Sequence, residues 1–243
     1  MEYKRNFITS VILKIDFSKI DKFDAAEFPI RELVKKYPEK KIQPRTEFLT
    51  QLSKDKQSIE QRTFNECRYY SEDMKNCFSI SESSCFFELK DHIGFTTLKG
   101  QFECICEILK NKFNIETVNR IGLRYINNVS GDISADWRKY IVTELSSMSE
   151  FYRNINKGNF KKVLSLSRIS LKNQDTIINF IVGNPNKNYP AAIMKDELLL
   201  DYDSFCSNVD IDAIIPKLEM LHQNILSLFE KSITKEFRDL MNN

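Results

Sequence analysis

Short segments in which apolar and polar residues alternate dominate the chain and predict β-strands. The first runs from Thr9 to Phe17 and is rich in β-branched residues. The same pattern predicts further strands at Thr46–Leu52, Gln61–Tyr70, Cys77–Glu82, Ser84–Lys90, Arg120–Asn127, Val163–Leu171, Thr176–Val182 and Glu197–Phe205. Polar turns join many of these strands, which is typical of an antiparallel sheet.

Apolar residues at spacings of three and four predict helices between the strands. The first is capped by Asp24 and ended by Pro38, and the second follows Gly100. Pro216 fits the first turn of the last and longest helix. The predicted helices span Ala25–Tyr37, Gln101–Phe113, Asp132–Tyr152 and Ile214–Leu240.

The two halves of the chain repeat one order: an initial strand, a helical segment, antiparallel strands and a closing amphipathic helix. We therefore expect an α+β fold, a curved antiparallel sheet of two similarly ordered halves with amphipathic helices on one face and a long C-terminal helix. No linker rich in Gly, Ser or Pro separates the halves. A single α+β domain over residues 1–243, with pseudo-repeat halves 1–117 and 118–243, is the prediction.

Composition excludes several classes of protein. Hydrophobic residues make up 42% of the 243 residues, with only six Gly and six Pro, which excludes disordered and low-complexity chains. A net charge of +2 supplies no field toward nucleic acid or acidic lipid. Six cysteines are too sparse for a disulfide scaffold, and no apolar run approaches the length of about 20 residues that spans a membrane. We expect a soluble, cytoplasmic protein without membrane contact.

Residues suited to catalysis are few. Glu219 and His222 share a helical face, but such metal sites need a second pair, so neither a metal nor another cofactor is expected. Cys85 with His92 across a hairpin is the only sequence-local candidate for a nucleophile and its base, and a role in catalysis is not favoured. No glycine-rich phosphate loop or nucleophile elbow is present. Whether the protein is an enzyme stays open, and the sequence favours a non-enzymatic role.

Alternation places Asp201 and Asp203 on one face of a strand, where they could hold a divalent ion or act as acid and base. Arg120 and Arg124 share a face of another strand, so an Arg–Asp ion pair is the favoured alternative. A basic stretch offers a weaker nucleic-acid site. Its residues are Lys157, Lys161, Lys162, Arg168 and Lys172.

The strand Arg120–Asn127, the Leu-Asp-Tyr-Asp sequence at 200–203 and a last helix with Leu-His at 221–222 and Ile-Thr at 233–234 carry a resemblance. Together they resemble a sporadically distributed, largely uncharacterised family of bacterial proteins with an Arg-x-Gly-Leu-Arg-Tyr-Ile-Asn strand and a C-terminal Leu-His…Phe…Ile-Thr helix. Scattered occurrence implies, by analogy, mobile or phage-defence gene clusters.

The sequence predicts an accessory or regulatory binding protein that acts through a protein partner or a bound small ligand. A homodimer is left open, and nucleic acid is not favoured. The alternatives are a metal-assisted hydrolase using Asp201 and Asp203, with Glu219 or His222, and a nucleic-acid-binding protein. Motif residues form either a hydrogen-bond network or a ligand pocket. They are Arg120, Arg124, Tyr125, Asn127, Asp201, Asp203, His222 and Thr234.

Overall fold

The structure is a computed structural model that describes residues 3–21, 23–24, 31–52, 57–91, 93–147, 151, 164–190 and 197–243. Its strands are β1 Ile8–Phe17, β2 Glu39–Leu52, β3 Gln57–Tyr70, β4 Asn76–Ile80, β5 Ser84–Leu89, β6 Thr117–Val129, β7 Ser165–Asn173, β8 Thr176–Asn184 and β9 Leu198–Asp210. Its helices are α1 Arg31–Lys36, α2 Phe95–Phe113, α3 Ile214–Ser232 and α4 Lys235–Asn242, with 3₁₀ helices at Gly131–Tyr140 and Ile211–Ala213.

The nine described strands form one open antiparallel sheet in the order β2-β3-β4-β5-β1-β6-β9-β8-β7. This confirms the predicted α+β class. No helix within the described ranges is long and apolar enough to cross a membrane. The contacts divide the chain into two compact units. The single domain over residues 1–243 and its pseudo-repeat halves stay predictions. The first unit comprises Met1–Val11, Gly122–Cys206 and Pro216–Asn243, and the second comprises Ile12–Ile121 and Ser207–Ile215.

In the second unit, aromatic side chains on one face of the sheet form the core. The Phe78 and Phe87 rings lie 4.9 Å apart on the neighbouring strands β4 and β5, and Tyr69 on β3 stacks 6.1 Å from Phe78. The Tyr37 hydroxyl donates a hydrogen bond of 2.9 Å to Gln101 on α2, whose apolar face is buried. Since side chains alternate along each strand, the intervening residues lie on the opposite face.

In the first unit, α3 packs against β6, β9 and β8. Phe180 on β8 stacks on Tyr202 of β9 at 4.6 Å, and Tyr202 meets Phe229 of α3 edge-on at 6.0 Å. At Gly183 of β8, φ is 140° and an added Cβ would lie 2.0 Å from the Ser165 carbonyl oxygen. Only glycine therefore allows β7 to approach β8 at this position.

Two predicted helices are interrupted in the structure. The segment predicted as one helix over Asp132–Tyr152 is a 3₁₀ helix up to Tyr140 and is α-helical at residues 143–147 and 151; between these parts, Ile141 forms a β-bridge with Ile233. That bridge also interrupts the predicted Ile214–Leu240 helix, so that α3 ends at Ser232 and α4 begins at Lys235. Pro216 does lie in the first turn of α3.

The other differences concern boundaries. Strand β2 starts at Glu39 and passes through Pro44, whereas the prediction began after this proline. An edge strand tolerates proline because one side of its backbone needs no partner in the sheet. Helix α2 begins at Phe95 after Gly94, and Gly100 lies inside it. Of the helix predicted over Ala25–Tyr37, residues 25–30 lie outside the described chain.

Candidate functional site

Because side chains alternate along β6, its motif residues in the first unit lie on opposite faces of the sheet. Tyr125 and Asn127 are buried on the face that α3 covers, while Arg124 is half-buried on the other face. Arg120 lies on the same face of β6 as Arg124 and belongs to the second unit. One strand therefore contributes polar residues to two separate environments, and the motif cannot line a single pocket.

Arg124 and Asp201 form a two-pronged ion pair between β6 and β9. The Arg124 Nε donates to Oδ1 of Asp201 at 2.8 Å, and a terminal guanidinium nitrogen donates to Oδ2 at 2.6 Å. The Asp201 side chain is 6% exposed and that of Arg124 is 41% exposed. The hydrogen bond to Asp201 raises the pKa of Arg124, so the guanidinium remains charged. This is the Arg–Asp pair that the strand pattern favoured.

On the helix face, the motif residues hold β6 to its neighbours. The Tyr125 hydroxyl lies 3.1 Å from Nδ1 of His222 on α3, and Asn127 donates a 3.3 Å hydrogen bond to the Leu200 carbonyl on β9. Burial raises the pKa of Tyr125, which keeps its hydroxyl protonated. His222 is half-buried and hydrogen-bonded, which is the arrangement expected of a packed histidine.

Thr234 lies between α3 and α4 and links them to the end of the 3₁₀ helix Gly131–Tyr140. Its hydroxyl accepts a hydrogen bond from the Phe237 amide at 3.4 Å, which caps α4, and donates to the Lys139 carbonyl at 2.7 Å. Its backbone amide donates to the Tyr140 carbonyl. Thr234 is thus a structural residue at the end of α3.

The face opposite α3 carries a mixed polar surface in the first unit. Strand pairing places Arg168 of β7, Ile181 of β8 and Asp201 of β9 in one row, beside Arg124. We call this surface the strand face. It comprises Arg124, Asp201, Asp203, Asn179, Ile181, Arg168, Ser170 and Lys172, which share this face by register.

Ser170 and the basic residues of β7 are the exposed members of the strand face. Asp203 is half-buried opposite Asn179, whose side-chain oxygen accepts a 2.5 Å hydrogen bond from Ser170. Arg168 and Lys172 are exposed two positions either side of Ser170. The other predicted nucleic-acid residues, Lys157, Lys161 and Lys162, lie outside the described residues.

The predicted catalytic pairings receive no geometric support. Burial raises the pKa of the Cys85 thiol well above its usual value, which disfavours a thiolate nucleophile, and His92 lies outside the described residues. Both Asp201 oxygens are engaged by Arg124. Within the described ranges, no three His, Cys, Asp or Glu residues are grouped so that they could hold a metal ion.

An open cleft of about 660 Å³ lies on the sheet face opposite α2 in the second unit. Its volume falls within the range of small-molecule sites. Its lining consists of Ile12, Lys14, Gln43, Pro44, Thr46, Glu66, Arg68, Phe86 and Glu88, from β1, β2, β3 and β5.

Sequence reasoning identified none of these cleft residues as a site. Lys14 alternates with buried apolar residues along β1, and Phe86 and Glu88 do so along β5. This alternation shows that they share the face away from the core, but their convergence depends on strand order. No model of a known protein family matches the chain, and no curated protein matches it.

Proposed function

We propose that this protein is a cytoplasmic accessory or regulatory protein that binds a protein partner through the strand face. The observation that carries the proposal is the division of the motif by β6. Tyr125, Asn127 and His222 hold β6 to its neighbours, while the motif residue Asp203 lies half-buried on the opposite face, together with the exposed Arg168 and Lys172 of β7.

The chemistry of the strand face favours a protein partner over nucleic acid. Arg124, Arg168 and Lys172 share the surface with Asp201 and Asp203. The two signs of charge nearly balance, whereas phosphate backbones require a basic surface. Half-buried Ile177 and Ile181 add apolar area to this mixture, and interfaces between proteins combine such residues.

The resemblance to a sporadically distributed bacterial family supports an accessory role. We infer that the gene belongs to a mobile or phage-defence cluster and that the partner is encoded nearby. A metal-assisted hydrolase is less well supported, because Arg124 engages both oxygens of Asp201.

The two similarly ordered halves and a curved sheet are part of the same proposal. Outward from β1 the strands are β5, β4, β3 and β2, and outward from β6 they are β9, β8 and β7. Curvature in the second unit is supported by the cleft, which both β1 and β2 line although three strands separate them. In a flat sheet these strands would be about 19 Å apart.

The test is retention of a partner by variants of the strand face. Tagged wild-type protein is used to capture proteins from its own host, with and without nuclease, and each captured protein is then purified and its Kd measured. A doubly substituted variant, Arg168→Glu with Lys172→Glu, is expected to weaken binding at least about tenfold. Both residues are exposed, so the melting temperature should not change.

The matched control is Lys231→Glu on α3, which changes charge at an exposed position of the first unit. It should bind like the wild type. Equal binding by the doubly substituted variant, loss of the partner on nuclease treatment, or a partner that proves to be a second copy of this chain would each contradict the proposal.

A further inference from the structure

The cleft in the second unit has a charge arrangement that points to a particular ligand chemistry. Its two cations are already neutralised: Lys14 pairs with Asp16 at 2.7 Å, and Arg68 pairs with Glu66 at 2.7 Å. Glu66 is 1% exposed, so this second pair is built into the wall of the cleft. Neither cation is therefore available to bind an anionic ligand without breaking an existing pair.

Among the cleft residues whose side chains the structure describes, Glu88 carries the uncompensated charge. It lies on β5 on the same face as Phe86 and is half-buried. In the part of the chain that the structure describes, its carboxylate has no ion pair and no hydrogen bond. A half-buried carboxylate without an ion-pair partner attracts cations, because the low-dielectric walls of a cleft concentrate its electric field.

The remaining walls are apolar or neutral. Phe86 lies on the same face of β5 as Glu88, and Ile12 of β1 and Pro44 of β2 also line the cleft. The Arg68 guanidinium already occupies a position 5.5 Å from the Phe86 ring centroid, which orders that ring. An aliphatic chain could pack against these side chains while its charged end reaches Glu88.

We propose that this cleft binds a small organic cation, an ammonium or guanidinium group on a short aliphatic chain, with its charge at Glu88 and its chain against Phe86 and Ile12. The site does not depend on the strand face, so the two proposals fail separately. It adds a small-ligand site to the proposed protein-binding surface.

The test uses four probes with four carbons in the alkyl chain or, for the anion, in the whole molecule: butylammonium, butylguanidinium, neutral butylurea and anionic butanoate. Binding to the full chain is followed by protein-observed NMR titration. A fragment of this size is expected to bind with a Kd of about 1–10 mM. The two cations should bind, and butylurea and butanoate should bind at least about tenfold more weakly.

Glu88→Gln preserves shape and is expected to raise the Kd of butylguanidinium at least about tenfold. Glu72→Gln, at an exposed turn of the same unit, is the matched control and should leave the Kd unchanged. Should Glu88→Gln fold poorly, Pro44→Lys at an exposed position adds a cation to the cleft wall and should also weaken binding.

A capped arginine peptide added in a further titration separates the sources of the guanidinium. Tighter binding of the peptide than of butylguanidinium identifies a protein side chain as the natural cation, and weaker binding identifies a free metabolite. The proposal is overturned if butanoate binds as well as the cations, or if Glu88→Gln binds butylguanidinium like the wild type.

Discussion

The Arg124–Asp201 pair provides the sharpest test of whether the central motif is structural. Replacing Arg124 by Ala leaves the Asp201 carboxylate, 6% exposed, without either of its two short hydrogen bonds. Breaking a fully buried pair costs about 3–5 kcal/mol. Because the Arg124 side chain is 41% exposed and water can enter its place, we expect a loss of about 2–3 kcal/mol.

The reverse substitution should cost less. Asp201→Asn keeps the shape and one acceptor oxygen, and the half-exposed guanidinium can recover hydrogen bonds from water. We expect a loss of about 1–2 kcal/mol. Since the double variant has no pair left to break, it should resemble Arg124→Ala. The coupling energy of the cycle is then about 1.5 kcal/mol.

Urea unfolding followed by circular dichroism measures the four free energies of unfolding, and thermal melting provides a second reading. For a chain of this length, the Arg124→Ala loss corresponds to a fall of about 5–10 °C in melting temperature. Arg168→Ala is the matched control because Arg168 is exposed in the same row of the sheet; its effect should stay within about 0.5 kcal/mol. A coupling energy below about 0.5 kcal/mol, with Arg124→Ala as stable as the wild type, would refute a structural role for the pair.

Three further predictions follow from single contacts. Burial raises the pKa of Tyr37 to about 12 from 10.0, so its stabilising contribution is complete below pH 10 and is lost as the pH rises toward 12. Urea unfolding at pH 9 and pH 11 should show about 1.4 kcal/mol more loss in the wild type than in Tyr37→Phe, and equal losses would contradict this assignment. Thr234→Ala should lower the free energy of unfolding by about 1–2 kcal/mol because the cap of α4 and the bond to the Lys139 carbonyl disappear; Thr234→Ser is the control, and an Ala variant as stable as Ser would argue against the cap. Adding Mg²⁺, Mn²⁺ or Zn²⁺ should leave the melting temperature within about 1 °C, since Arg124 engages both Asp201 oxygens, whereas a larger, saturable increase would revive the hydrolase.

Alternation predicted the strands well because it reports a local property, the burial of every second side chain on one face. It also predicted an ion pair between β6 and β9. It could not predict that β2 lies at an edge of the sheet, where Pro44 is tolerated. Position in a sheet depends on long-range pairing, and the same limit concealed the cleft, whose walls come from strands distant in sequence.

The prediction of one continuous C-terminal helix was wrong for a different reason. Apolar spacing continues from α3 into α4 because Phe237 and Met241 are buried like the apolar residues before them. Periodicity therefore shows no interruption at Ile233. A local signal was nevertheless present, since Thr234 is a good N-cap residue and Glu236 follows in the first turn.

The separation of motif residues by β6 changes how loss of function should be interpreted. Substitution of Tyr125 or Asn127 removes a buried hydrogen bond on the helix face, so any loss of binding should scale with loss of folded protein. Asp203 lies half-buried on the strand face, where a substitution can change the surface that a partner meets. Binding corrected for the folded fraction should therefore stay at the wild-type level for the helix-face variants and fall for Asp203→Asn. Because neighbouring residues of β6 such as Arg124 and Tyr125 also lie on opposite faces of the sheet, proximity in sequence is a poor guide to shared function in this motif, and the face of the strand is the better one.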